Sequence, residues 1–172
     1  MSNDQDHVIL VNDHDEQTGT MDKLEAHRQG LQHRAFSVFI YDTEGRMLLQ
    51  QRAFGKYHSG GLWTNACCSH PRPGEAIMDA AHRRLREEMG FDCDIRSIGI
   101  LPYRADMGNG LIEHEIDHLF AGTYEGTVSP EPEEAAAFRW QSMEEIAAAL
   151  AERPAEFTAW FRLAFPMLVK PS

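Results

Sequence analysis

The sequence predicts one mixed α+β domain, with β-sheets flanked by helices. Three observations lead there. The chain has 172 residues, close to the ~150 of an ordinary single domain, and no linker, repeat or low-complexity tract divides it. Paired apolar runs around turn residues read as strands. Separate stretches with helical periodicity lie between and after them.

Taken in order, the short apolar run His7–Asn12 reads as a strand. Ala35–Tyr41 and Met47–Arg52 flank Asp42-Thr43-Glu44-Gly45, a hairpin signal. From Glu75 to Met89 the pattern is helical: Met78, Ala81, Leu85 and Met89 form one apolar face, and Gly90 stops it. Ile95–Tyr103 and Ile112–Tyr124 read as strands around the turn-like Asp106–Gly110, and Phe138–Gln141 as a last short strand. Ser142 with Glu145 forms a capping box leading into a helix over Ile146–Glu152. A final helix is expected from about Pro154 to Leu168, with proline at its start.

Composition excludes several classes. Apolar residues make up 42% and charged residues 25%, the mixture of an ordinary globular domain. No apolar run approaches the ~20 residues needed to cross a bilayer. The start, Met1-Ser2-Asn3-Asp4-Gln5-Asp6-His7, lacks the basic opening and apolar stretch of a secretion signal. The expectation is a soluble protein of the cytoplasm. A net charge of −11, from 27 acidic and 16 basic residues, argues against a nucleic-acid partner. It leaves room for a small anionic substrate held by a few local Arg and Lys side chains. Three cysteines, Cys67, Cys68 and Cys93, make no disulfide framework, which leaves thiol chemistry, metal binding or packing.

The segment Gly61–Pro71 gathers two thiols, His70 and the Asn65 carboxamide between a hairpin and a helix. In the helix that follows, Arg83 and Glu87 share a face, as do Arg84 and Glu88. The plain reading is a solvated helix with surface ion pairs. The sharper one is that carboxylates at the helix end suit Mg²⁺ bridging to a phosphate, which the arginines would also hold. Glu113 and Glu115 are two apart in a predicted strand, so both carboxylates point the same way. His27 and His33, across Gly30, are a candidate pair of imidazole ligands on a loop. Together with His70 these groups suit Zn²⁺ or Mn²⁺.

Those residues resemble a Nudix box, the pattern Gly, five residues, Glu, seven residues, Arg-Glu-apolar-x-Glu-Glu-x-Gly-apolar. Over positions 69–91 the matches are Glu75, Arg83, Leu85, Glu87, Glu88, Gly90 and Phe91. Ser69 stands in place of the first glycine, and Arg84 in place of the glutamate after Arg83. Nudix hydrolases use that glutamate for metal-assisted attack on a diphosphate, so the arginine argues against hydrolysis. The whole constellation is similar to the type 1 isopentenyl-diphosphate isomerase family, a Nudix relative that moves a double bond. The segments that carry this resemblance are Trp63-Thr64-Asn65-x-x-Cys68-Ser69-His70-Pro71, Tyr103-Arg104-Ala105 and Glu113-x-Glu115. Thr18 through Lys23 to His27, and His33-Arg34-Ala35-Phe36, fit as well.

The resemblance implies a single Nudix-type domain over 1–172 and a role for each matching residue. Cys68 would be the catalytic thiol and Glu115 the second acid/base group, with Tyr103 supporting and Trp160 presenting its ring to the isoprenoid. His27, His33, His70, Glu113 and Glu115 would hold one divalent ion (Mn²⁺, Zn²⁺ or Mg²⁺). Glu88 would ligate a Mg²⁺ that travels with the diphosphate, itself held by Lys23, Arg52, Lys56 and Arg84. The chemistry fits: an unactivated alkene is protonated and a proton removed on the other side, with no redox step. That needs one acid and one base, worth ~10²–10⁴-fold each. Which of Cys68 and Glu115 donates first stays open. Cys67 and Cys93 read as packing residues, Trp63 as packing or site. His7, His14, His58, His82, His114 and His118 are assigned no role. Two other classes remain: a Nudix hydrolase of a nucleoside or prenyl diphosphate, and a binding domain with no catalysis. Oligomeric state is not legible.

Overall fold

The computed structural model describes residues 7–56 and 58–169; the acidic start over 1–6, read above as lacking a secretion signal, lies outside them. Nine strands join in one branched, mixed sheet: β1 His7–Val11, β2 Gln17–Asp22, β3 His33–Tyr41, β4 Met47–Arg52, β5 Trp63–Thr64, β6 Cys67–Ser69, β7 Ile95–Gly108, β8 Leu111–Thr123 and β9 Ala135–Gln141. Among the described residues, four α-helices accompany them: α1 Lys23–Gln29, α2 Ile77–Met89, α3 Met143–Glu152 and α4 Ala159–Leu168. None is long and apolar enough to cross a membrane among the described residues.

β3 is the hub. It pairs in parallel with β8 from His33↔Glu115 to Tyr41↔Thr123, antiparallel with β6, and at its ends with β1 and β4. Strand side chains alternate, and here both faces are covered. Phe36, Val38 and Ile40 meet Ala81, Leu85 and Met89 of α2. Phe39 on the other face packs with Ile146 of α3 and Phe161 and Phe165 of α4.

Several expectations hold and several need correction. Gly90 ends α2 in the left-handed conformation (φ +73°), and Ser142 and Glu145 form the expected reciprocal capping box. The β7–β8 turn is tighter than expected: the strands run on to Gly108 and Leu111, leaving Asn109 and Gly110, both at positive φ, the backbone that a two-residue hairpin requires. The helix expected from Pro154 is broken. Pro154–Glu156 is a single 3₁₀ turn, and Phe157 is extended and bridges Trp63. Thr158 then starts α4, because its N–H bonds to Trp63 O (3.0 Å) and its hydroxyl bonds to Thr64 and caps Phe161. Tertiary hydrogen bonds thus override a continuous apolar periodicity.

β2 and α1 are additions. β2 is largely exposed at the sheet edge, so no apolar alternation marks it. The region 27–33, expected as a loop, divides between α1 and β3. α1 is capped by the Asp22 carboxylate on Glu25 N–H (3.1 Å) and ended by Gly30 at φ +67°. The Gly61–Pro71 segment likewise contains β5 and β6.

Gly90 also lets the 129–134 loop dock: Ser129 and Glu131 N–H bond to the carbonyls of Met89 and Glu88 (both 3.0 Å). A Cβ at Gly90 would lie 2.6 Å from Ser129 O. Gly90→Ala is therefore expected to destabilise the fold by about 1–3 kcal/mol from backbone strain, before the added clash. A urea unfolding midpoint equal to wild type would contradict this.

Candidate active site

The sheet register assembles the site. β8 carries Glu113, Glu115 and Asp117 on one face, each buried. β3 sets His33 beside Glu115, β7 sets Tyr103 beside the same residue, and His70 follows directly after β6. α1 brings His27 to the same place.

Glu115 Oε2 lies 3.0 Å from His33 Nε2 and 2.8 Å from His70 Nε2, and the two nitrogens are 3.3 Å apart. The ligand atoms of His27, His33, His70 and Glu115 all lie within 4.8 Å of one another. The contacts around Glu115 match adjacent ligands on one ion bound at ~2.1 Å, whose edges are about 3.0–3.4 Å. His27 and His33 direct Nδ1 at the Lys23 and Leu31 carbonyls (2.7 and 2.9 Å). A carbonyl can only accept, so each Nδ1 carries the proton and each Nε2 faces the cluster. Burial holds His70 down at about 4, so at neutral pH it offers the neutral imidazole a metal requires. Burial and Glu113 push Glu115 up, but its contacts with His33 and His70 outweigh them and hold it at about 2. Mixed His and carboxylate donors of this kind fit a borderline divalent ion.

Glu113, the fifth expected ligand, falls in a second, overlapping group with His27 and His58. Tyr103 binds the two carboxylates together, its hydroxyl bonding to Glu113 Oε2 and lying 2.6 Å from Glu115 Oε1. Burial, then the charges of Glu113 and Glu115, push the phenol well up, so it remains protonated.

Adjacent positions in β6 send the two thiols opposite ways. Cys67 is fully buried in the α2-side core, its Sγ 3.6 Å from Glu88 Oε2. Cys68, opposite Ser37, lines a cleft shared with Phe36, His70, Glu115 and Trp160. Burial raises the Cys68 thiol well above its usual value, against the pull of Arg52. Trp160 is 3% exposed, with the Arg52 guanidinium 5.3 Å from its ring.

The same cleft gathers cations. Lys23, Arg52, Lys56 and Arg84 line it with Glu88 and Glu134. Lys56 pairs with Glu134, and Arg84 reaches both Glu88 and Glu134 (3.0 Å each). Burial disfavours the Arg84 charge, but Glu88 and Glu134 more than compensate. Arg83, by contrast, is engaged in a two-pronged pair with Glu75 (2.8 and 2.9 Å).

The protein-family model "NUDIX domain" matches residues 31–161. A curated isopentenyl-diphosphate Delta-isomerase of Burkholderia multivorans is 52% identical over 91% of this chain and 89% of its own length. The chain belongs to the isopentenyl-diphosphate Delta-isomerase family. A Pectobacterium atrosepticum relative of the same name is 49% identical over 92% of the chain and 88% of its own length. Among solved structures, a Deinococcus radiodurans protein superposes at TM-score 0.79 with 15% identity, covering 95% of this chain and 99% of that one. A MutT NUDIX hydrolase of Burkholderia pseudomallei gives 0.64 with 20% identity, over 80% and 98%. These two likenesses establish the fold.

Within this family member, most residues singled out by sequence meet in one place: thiol, carboxylates, His70, Trp160 and the cations line a single cleft, with His27, His33 and Tyr103 joined to its carboxylates. Trp63 lies elsewhere, its ring under Arg139 (4.0 Å) and packed on the α3/α4 side. His114 points away from the carboxylates and bonds to Gly30 O (3.1 Å). Four participants escaped sequence reasoning. Asp117, held by Ser37 (2.8 and 3.1 Å), continues the two-residue period of Glu113 and Glu115 and could have been found from it. Gln50, which donates to Glu88 (3.0 Å), Glu134 and His58 carry no spacing signal.

Proposed function

We propose that the chain interconverts isopentenyl and dimethylallyl diphosphate by proton transfer, in the cytoplasm. The observation that carries this reading is one cleft presenting a thiol and an ionised carboxylate together with a group of cations, in a chain about half identical to curated isomerases. Among the described residues all three thiols are free, as a reducing compartment would keep them.

Lys23, Arg52, Lys56 and Arg84 would hold the diphosphate, and Glu88 would ligate a Mg²⁺ accompanying it. The alkenyl tail then lies between Cys68 and Glu115. One of the pair delivers a proton to the double bond and the other removes one from the adjacent carbon. Tyr103 orients Glu115 by its hydrogen bond. The Trp160 face stabilises the tertiary cation, by about 0.5–2 kcal/mol. Burial of the cleft floor keeps water from quenching that cation. A divalent ion (Mn²⁺, Zn²⁺ or Mg²⁺) held by His27, His33, His70, Glu113 and Glu115 supplies charge that fixes and tunes the carboxylates when bound.

A second reading, diphosphate hydrolysis, draws on the Nudix fold and on Glu87 and Glu88. Against it, Arg84 stands where a hydrolase has a glutamate. The test is NMR of the protein with isopentenyl diphosphate and Mg²⁺ in D₂O. Deuterated dimethylallyl diphosphate without released phosphate is expected. Released phosphate with an unmoved double bond would establish hydrolysis instead.

A further inference from the structure

His58 sits in the connection between β4 and β5, 6% exposed. Its Nε2 lies 3.0 Å from Glu113 Oε1, while the other oxygen of that carboxylate receives the Tyr103 hydroxyl. Its Nδ1 is 3.0 Å from Ser59 Oγ. A carboxylate can only accept, so Nε2 carries the proton; the Ser59 hydroxyl beside Nδ1 also reaches Met107 Sδ (3.7 Å). In this state the ring is a donor to Glu113. The imidazole also meets Trp160 edge to face, at 6.0 Å and 82°. Its backbone carbonyl accepts from Arg52 (3.3 Å), which fixes the loop whatever side chain stands there.

From this we infer that His58 is a positioning residue, which aims the Glu113 carboxylate at the metal-ligand cluster and braces Trp160 against the substrate cleft. The inference rests on the metal reading above and deepens it. His58 belongs to the group with Glu113 and His27, outside the group of His33, His70 and Glu115. The group of His58 with Glu113 and His27 has donors enough to hold an ion of its own, but with the Nε2 proton given to Glu113 Oε1 the His58 ring orients a ligand, the place from which a hydrogen-bonding neighbour changes metal affinity by 10–100-fold.

Two variants separate the two contacts. His58→Phe keeps a ring beside Trp160 and removes the donor. His58→Gln keeps a donor of similar reach and removes the ring. Mn²⁺ affinity, measured by chelator competition, is expected to fall about 10–100-fold in His58→Phe and less than about threefold in His58→Gln. With saturating Mn²⁺, kcat/KM is expected to fall about 2–10-fold in His58→Gln, the measure of a lost aromatic pair, and to recover in His58→Phe. Unaltered Mn²⁺ affinity in His58→Phe, or equal losses in both variants that track their melting temperatures, would overturn the proposal. Two Mn²⁺ per wild-type chain against one in His58→Phe would also overturn it, making His58 a ligand. Wild-type protein that binds no Mn²⁺ or Zn²⁺ would overturn the metal reading itself. Should His58→Phe not fold, His58→Gln must still separate metal affinity from kcat/KM.

Discussion

Cys68→Ala is expected to lower turnover of isopentenyl diphosphate by about 10²–10⁴-fold, with metal content and melting temperature unchanged. The thiol lines the cleft rather than the core, and β6 is held to β3 by backbone pairing that alanine preserves. The lost group is neither one of the metal-grouped side chains nor one of the cations of that cleft. Binding of substrate and metal should therefore survive while the proton step fails. Cys67→Ala makes the opposite change: it trims the α2-side core and costs stability while leaving turnover within a few-fold. Steady-state kinetics beside thermal melts separates the two. A Cys68→Ala protein that turns over normally would remove the acid/base reading and favour a domain that only binds.

Glu115→Gln is expected to lose both turnover and metal. The amide keeps the shape but not the charge beside which His33 and His70 converge at one oxygen, and a neutral amide is a weaker ligand to a divalent ion than a carboxylate. Turnover should fall by ~10²–10⁴-fold or more, and Mn²⁺ affinity by at least ~10²-fold, beyond the usual effect of a residue that only orients a ligand. Equilibrium dialysis against Mn²⁺ with the same kinetic assay checks both. Cys68→Ala and Glu115→Gln thus differ in one readout, metal retention. Full metal retention in Glu115→Gln would take that residue out of the ligand set.

The two variants also mark where sequence reasoning reached and where it stopped. α2 and its stop were legible because an amphipathic face and a glycine terminator are local signals, and Met89 and Gly90 lie where that pattern puts them. The capping box at Ser142 was legible for the same reason. The thiol, imidazoles and carboxylates were legible as an ordered set of short motifs. β2 was not, because a polar edge strand needs no apolar face, nor was α1, a seven-residue helix made by its caps. The break at Phe157 was hidden because that residue stays buried in either conformation.

The sequence by itself determined the family, the longer strands and helices and most of the side chains that gather at the site, since these depend on residue type and local spacing. Only the tertiary structure decided which of them touch. His33 and Glu115 are 82 positions apart, and the parallel register of β3 on β8 is what makes them neighbours. His58 in its glycine-flanked loop has no periodicity to report it. It becomes visible once the sheet brings Glu113 and α4 brings Trp160 against its ring. Contacts across such distances follow from how faces are buried together, and that is set by the whole fold rather than by any segment of it.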